Sequence, residues 1–153
     1  MKYSEKLKEL GIVIPPAAKP VAAYVPATRA GAFVYTSGQL PSVDGKLFAV
    51  GKLGAQVDEK TGYEAARISA INCLAAVLSV AGDIDRIERI VKVVGFVNSA
   101  PGFTGQPKVV NGASELFGQI FGEAGAHARS AVGVSELPLQ SPVEIEIVVK
   151  LKD

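Results

Sequence analysis

Residue types that build many catalytic and metal sites are almost absent from this chain of 153 residues, which has one cysteine, one histidine and no tryptophan. One cysteine cannot form an internal disulfide, and one Cys with one His cannot supply the ligands of a zinc site. The single thiol, Cys73, lies among apolar residues, so we expect it to be buried and structural rather than reactive. A serine hydrolase site is disfavoured too, because there is no Gly-x-Ser-x-Gly and only one histidine to act as base.

The chain also lacks a dense basic run and a long apolar run. Sixteen Lys and Arg residues balance fifteen Asp and Glu residues, giving a formal net charge of +1, whereas nucleic-acid binding needs a concentrated basic face. No segment reaches the roughly 18 uninterrupted apolar residues of a membrane span, and the N-terminus has no apolar run of signal-peptide length. We therefore expect a cytoplasmic protein with no membrane partner, and nucleic-acid binding is disfavoured.

Apolar residues, in contrast, are plentiful. They make up 48% of the chain, and the mean hydropathy is +0.29. The length fits one domain of ordinary size with a substantial core. The high hydropathy favours an oligomer, in which a second subunit covers part of the apolar surface.

Sequence patterns in the N-terminal third predict a short helix and then strands. The helix spans Ser4 to Leu10, with Gly11 as its stop, and an extended Pro-rich stretch follows it. Asp44-Gly45 is a strong hairpin-turn signal. The predicted extended stretch is 14–20, the strands are 21–26, 32–36 and 47–50, and a turn is expected at 29–31.

The remainder predicts two helices and three further strands. Asp58 to Ala81 has helical periodicity and many alanines that suit close packing, with Gly82 as its stop. A second helix is expected from Pro107 to Phe121. The strands are expected from about Arg89 to Asn98, at the segment that begins with Ala128, and at the alternating segment that begins with Val143.

The predicted order is thus β-β-β-α-β-α-β-β after an N-terminal extension. Strands interleaved with two helices indicate an α+β fold with both helices on one face of a mixed sheet. The opposite face would then need a cover, and oligomerisation through the sheet is the simplest one. We expect residues 1–20 to form the extension and 21–153 the domain.

Two charged residues in the last two strands require an explanation, because burying an unpaired charge costs several kcal/mol. Arg129 has a planar guanidinium that matches a carboxylate through two parallel hydrogen bonds, so it could bind an anionic metabolite. A structural salt bridge to Glu144 or Glu146 is the alternative. A strand glutamate can also activate water, and spacing alone does not choose between these two carboxylates.

Two further groups are weaker candidates. Thr36-Ser37-Gly38-Gln39 places hydroxyls at a strand end, where glycine permits close approach of a ligand to the backbone. An ordinary turn is the alternative for this segment. His127 lies in a Gly/Ala loop two residues from Arg129, either as a surface histidine or at the rim of a pocket.

In order and nearly in spacing, these groups resemble the motifs of the Rid family of reactive intermediate deaminases, also called the YjgF family. The similarity covers about residues 20–152. The Thr-Ser-Gly-Gln and Ala-Arg-Ser signatures are specific when they occur together. The matching stretches are Ala23-Tyr24-Val25, Tyr35 to Pro41, Val110-Asn111-Gly112, Ala128 to Val132, Leu137-Pro138 and Val143 to Glu146.

The resemblance implies a chorismate-mutase-like fold assembled as a homotrimer, with ligand clefts between subunits. It implies hydrolysis of enamines and imines such as 2-aminoacrylate to 2-keto acids and ammonia, as in 2-iminobutanoate/2-iminopropanoate deaminases. Arg129 would hold the substrate carboxylate, and Glu144 rather than Glu146 would position or activate water. Tyr24, Ser37, Gly38 and Asn111 would line the cleft. No metal or organic cofactor is required, because imine hydrolysis is already fast in water.

The chain departs from well-known members of that family at its N-terminus, in a longer loop at 99–107, and at Ala131, where cysteine is common. It looks more like a longer branch of the family, in which the cleft is reshaped. Two other functions stay open on the sequence. One is a non-catalytic trimer that binds a carboxylate metabolite, and the other is the RNA-cleaving or translation-inhibiting role attached to parts of the family.

Overall fold

The computed structural model describes residues 1–19 and 22–153. The boundary expected between the extension and the domain, at residues 20 and 21, lies outside these described residues. The described part contains three α-helices, α1 (Tyr3–Leu10), α2 (Glu59–Ala81) and α3 (Gln106–Phe121), and seven strands, β1 (Ala27–Ala30), β2 (Phe33–Thr36), β3 (Ser42–Val43), β4 (Lys46–Leu47), β5 (Ile87–Asn98), β6 (Ala128–Val134) and β7 (Val143–Leu151).

Five of these strands form one mixed sheet in the order β1-β2-β7-β5-β6. The edge strand β6 runs parallel to β5, and the other neighbours pair antiparallel. The helices α2 and α3 pack against each other and against the sheet. The predicted α+β fold, with both helices over one face of a mixed sheet, is confirmed.

The two long helices begin and end where the sequence predicts. Asp58 caps α2, its carboxylate accepting a hydrogen bond from the Thr61 amide at 2.8 Å, and Gly82 follows the last turn. Pro107 lies in the first turn of α3, where its missing N–H costs no helical hydrogen bond. The two helices come very close at Gly112, where an added Cβ would lie 2.9 Å from the carbonyl carbon of Tyr63.

Within the described residues, α2 is the one helix long and apolar enough to cross a membrane by length and composition. Of its most apolar window, however, 56% is buried inside the fold. The buried face is built mainly of alanine, together with Cys73, Leu74 and Val77. Its apolar character is therefore accounted for by packing on the sheet and on α3. Cys73 is fully buried as expected, and burial raises the pKa of its thiol.

The predictions for the first and third strands were wrong in position. The described residues of 22–26 are not a strand, and Val21 lies outside the described part. Arg29 and Ala30, expected in a turn, instead belong to β1, because the tight turn falls at Gly31-Ala32 and pairs Ala30 with Phe33. The hairpin at Asp44-Gly45 is confirmed, but β3 and β4 form a separate two-stranded sheet that adds no third strand to the main sheet.

The main sheet has one face packed under the helices and one open face. Along β7, residues Val143, Ile145, Ile147, Val149 and Leu151 are buried, and the residues between them are half-buried. The open face includes Phe33 and Tyr35 of β2 and Val132 of β6, which are 36%, 45% and 44% exposed. This open face is the one that the sequence predicts to need a cover.

The predicted N-terminal helix is confirmed as α1, which ends at Gly11 in a left-handed conformation with φ of 68°. It packs against the body of the protein. The Ser4 hydroxyl donates to the Asp85 carboxylate at 2.5 Å, and the Tyr3 ring meets the edge of Phe121 with centroids 4.7 Å apart.

Candidate functional site

Arg129 projects from the edge strand β6 toward the helices. It is in register with Val93 of β5, which is in turn in register with Ile147 of β7. Residues paired across a sheet share a face, and both of these partners are buried under the helices. The half-buried arginine thus lies beside α3.

The guanidinium of Arg129 is held from one side. Its Nη1 donates to Asn111 Oδ1 at 2.8 Å and to Ser114 Oγ at 3.2 Å. Among the described residues, its Nε and Nη2 make no hydrogen bond. Nε and Nη2 form the side-on edge that matches a carboxylate with two parallel hydrogen bonds. The geometry of Arg129 therefore fits an anion-binding group.

His127 lies next to this arginine. Its Nε2 is 2.9 Å from Ser114 Oγ and its Nδ1 is 2.6 Å from the carbonyl oxygen of Gly125. Burial lowers the pKa of this histidine, and the positive charge of Arg129 lowers it further, while the Gly125 carbonyl acts in the opposite direction. A neutral imidazole is thus favoured at pH 7. His127, for which a surface position and a pocket rim were the two alternatives, is half-buried and shares Ser114 as a hydrogen-bonding partner with Arg129.

Glu144 projects from β7 to the open face of the sheet. It is in register with Phe96 of β5, which pairs with the exposed Val132 of β6. Gly38 lies against it, so closely that an added Cβ on the glycine would be 2.7 Å from the Glu144 Cδ. Burial raises the pKa of this carboxyl, and the neighbouring charge of Glu146 raises it further. A raised pKa suits a group that exchanges protons near neutral pH.

Arg129 and Glu144 consequently lie on opposite faces of the same sheet. The salt bridge considered between Arg129 and Glu144 or Glu146 is therefore wrong within one chain, since both carboxylates lie on the open face. The ion pairs among the described residues are Lys6–Glu9, Lys52–Glu136 and Lys150–Glu88. One chain brings together Arg129 with Asn111, and separately Glu144 with Gly38.

A family model with the description "YjgF/chorismate_mutase-like, putative endoribonuclease" matches residues 4–151. The chain belongs to this family. Protein TCP17 of Trypanosoma cruzi is 42% identical to it over 99% of this chain and 96% of that protein. Atu1372 of Agrobacterium tumefaciens, solved as a protein of unknown function, is 43% identical with a TM-score of 0.90, covering 98% of this chain and 92% of its own. E. coli TdcF with bound serine is 26% identical with a TM-score of 0.62, covering 89% and 94%.

Family membership agrees with the resemblance of the motifs, and among the motif residues Gly38 lies against Glu144. Tyr24 is 55% exposed and lines, with Gly38, a cavity of about 360 Å³. The Ser37 hydroxyl donates to the Val25 carbonyl at 2.7 Å, and its amide donates to the Pro26 carbonyl at 2.8 Å. Ser37 therefore fixes the segment that carries Tyr24, which is a different role from lining the cleft with a free hydroxyl.

Sequence reasoning missed Ser114, although a signal for it was present. Ser114 follows Asn111 by three residues, and residues three apart share one face of a helix. Any partner that approached Asn111 on α3 would therefore meet this hydroxyl as well. The resemblance to the family did not single out Ser114, because the stretch of α3 that matches the family motif is Val110-Asn111-Gly112.

Proposed function

We propose that the protein hydrolyses reactive 2-enamine and 2-imine acids, of the 2-aminoacrylate type, to 2-keto acids and ammonia in the cytoplasm. The observation that carries this proposal is the Arg129 guanidinium, which is held through Nη1 and whose side-on edge bonds to none of the described residues. A 2-imino acid presents a carboxylate next to its reacting carbon. An arginine that binds that carboxylate with two hydrogen bonds therefore also fixes the imine carbon in space.

Glu144 is proposed as the proton-transfer group. Water adds to C2 of the protonated imine while the Glu144 carboxylate takes the proton that the water loses, and a neutral carbinolamine forms. Glu144 then returns that proton to the nitrogen, the C–N bond breaks as the hydroxyl proton passes back to the Glu144 carboxylate, and the 2-keto acid and ammonia leave. An enamine enters the same sequence after it tautomerises to the imine. The raised pKa of Glu144 supports both proton transfers.

The separation of the two residues supports an active site shared between subunits. We propose a homotrimer in which Arg129 and Asn111 of one subunit face Glu144, Gly38 and Tyr24 of the next. The exposed apolar residues of the open face, Phe33, Tyr35 and Val132, support burial of that face between copies. The serine bound to TdcF, an amino acid with a free carboxylate, agrees with this ligand class.

The test generates 2-iminopropanoate in situ with an amino acid oxidase and follows ammonia and 2-keto acid. Wild-type protein should accelerate their appearance, Arg129→Ala should abolish the acceleration, and Glu144→Gln should reduce kcat by about 100-fold or more. Arg29→Ala serves as a matched control, because Arg29 is exposed on β1 and, among the described residues, its side chain bonds only to the nearby Gly31 carbonyl. Wild-type protein with no effect on several such imines would refute the proposed activity.

Binding without turnover would instead favour a carboxylate-binding trimer. The keto acid should bind in either case, so calorimetric binding of 2-oxobutanoate by a protein that lacks deaminase activity would identify the carboxylate-binding trimer. RNA cleavage, the activity in the family description, finds little support in a chain with a net charge of +1 and one histidine.

A further inference from the structure

A chain of hydrogen bonds joins the Arg129 guanidinium to a backbone carbonyl, and each group in it donates toward the carbonyl. The Gly125 carbonyl can only accept, so His127 Nδ1, 2.6 Å away, carries the ring proton. The guanidinium can only donate, so Ser114 Oγ, 3.2 Å from Nη1, is the acceptor there. The Ser114 hydroxyl proton is left to point at His127 Nε2, which is 2.9 Å away and accepts it in the neutral ring.

The surroundings keep the imidazole in that neutral form and in place. Phe117 of α3 meets the ring edge-on, with centroids 6.0 Å apart. Arg129 on β6 is the charged group that acts on it, and the half-buried position adds a desolvation cost to protonation. The residues that face the imidazole from α3 are Ser114 and Phe117, and the turn before β6 contributes the Gly125 backbone.

From this geometry we infer that Ser114 and His127 are positioning residues for Arg129, an assignment that rests on the proposed carboxylate-binding function. Asn111 and Ser114 both accept hydrogen bonds from Nη1, and two acceptors on one nitrogen restrain rotation of the guanidinium plane. Arginine has a flexible stem, and holding it in advance removes part of the entropy that substrate binding would otherwise cost. His127 orients Ser114, and Ser114 orients the arginine.

The first test measures KM, kcat and the Kd of 2-oxobutanoate for variants of this hydrogen-bonded chain. Ser114→Ala should raise KM and Kd about tenfold with kcat little changed, because it removes a hydrogen bond to a charged group. Ser114→Thr, which keeps the hydroxyl, should stay near wild type. His127→Leu should weaken the binding of 2-oxobutanoate. In His127→Gln the affinity should stay closer to wild type, because the side-chain oxygen can accept the Ser114 hydrogen bond. The double variant Ser114→Ala/His127→Leu should bind 2-oxobutanoate as tightly as Ser114→Ala alone.

The matched control is Ser79→Ala, because the Ser79 hydroxyl donates to Ala76 within α2, away from Arg129. Wild-type affinity in folded Ser114→Ala and His127→Leu, or additive losses in the double variant, would overturn the positioning role.

The second test is nitrogen NMR at pH 7 and needs neither turnover nor ligand. The chain has one histidine, so the imidazole signals are unambiguous. Nδ1 should be protonated and Nε2 should be a hydrogen-bond acceptor whose shift changes in Ser114→Ala. The opposite tautomer, or an imidazolium, would overturn the positioning role by itself. Failure of the deaminase assay with the expected spectrum would count against the proposed function only.

Discussion

Gly38 shows how one missing side chain shapes the candidate site. A Cβ at this position would displace Glu144, whose carboxylate is the flexible end of a long side chain. The glycine is not in the left-handed region of φ, so its backbone tolerates another residue. The space above Gly38 is thus occupied by the Glu144 carboxylate.

The expected effect of Gly38→Ala is therefore on activity rather than on folding. Because Glu144 must move, deamination should fall at least tenfold, while the melting temperature stays within about 2 °C of wild type. Steady-state kinetics and thermal unfolding measure the two effects. Gly118→Ala is the control, since nothing lies within 4 Å of a Cβ there. Full activity in Gly38→Ala would show that Glu144 is not part of the active site.

Single residues differed in how far the sequence could predict them. Arg129 and Glu144 could be singled out as charges in apolar strands, and Asn111 came from the motif resemblance. Helical spacing could have grouped Ser114 with Asn111, but the contact of Ser114 with Arg129 and the role of His127 could not be derived, because they depend on how α3 lies against β6. The separation of Arg129 from Glu144 depends on the register of β6 and β7 with β5, which strand periodicity leaves undetermined.

At the scale of elements, glycine brings the two long helices close together. Gly112 of α3 lies against the backbone of α2 at Tyr63 and Arg67. A backbone contact cannot yield as a flexible side chain can. Asn111, the residue before this contact, depends on the resulting position of α3 to reach Arg129.

We expect Gly112→Ala to destabilise the protein by about 1–3 kcal/mol, because the added methyl group must push the helices apart. Gly118 is in the same helix, but a Cβ there would meet no neighbouring element among the described residues. Gly118→Ala should therefore leave the stability of the protein unchanged or raise it by up to about 1 kcal/mol through helix propensity. Denaturant unfolding of the two variants measures this difference. Equal stabilities of the two variants would contradict this expectation and show that the helices accommodate the methyl group at Gly112 without loss of stability.

Element boundaries followed the strength of their local signals. Both long helices were predicted closely because periodicity, caps and stop glycines agree along them. The first strand was misplaced, since Ala27-Thr28-Arg29-Ala30 has little strand preference of its own. Those residues become a strand because the turn at Gly31-Ala32 folds them back onto β2. Such pairing is a tertiary effect that overrides local preference.

At the scale of the whole molecule, the proposed trimer makes each site from two chains. Arg129→Ala leaves Glu144 intact, and Glu144→Ala leaves Arg129 intact. In a mixed assembly, an intact arginine can therefore face an intact glutamate across a subunit interface. The two inactive proteins should complement each other.

Equal amounts of the two variants, unfolded together and refolded, should recover up to about a quarter of wild-type activity if subunits assort at random in a closed ring. The same proteins refolded separately and then assayed together without subunit exchange should stay inactive. No recovery from well-folded mixed assemblies would place both halves of the site within one chain, contrary to the proposal.

In the proposed trimer, the sheet that separates Arg129 from Glu144 would also make catalysis depend on protein concentration. In the proposed assembly a lone chain is folded but inert, so diluting the enzyme below its assembly concentration would stop turnover without unfolding anything. Specific activity would then rise with enzyme concentration until assembly is complete. A copy that lacked both residues would also disable sites whose other half belongs to a normal subunit, so random mixing with an equal amount of normal subunits would leave about a quarter of the sites intact rather than a half.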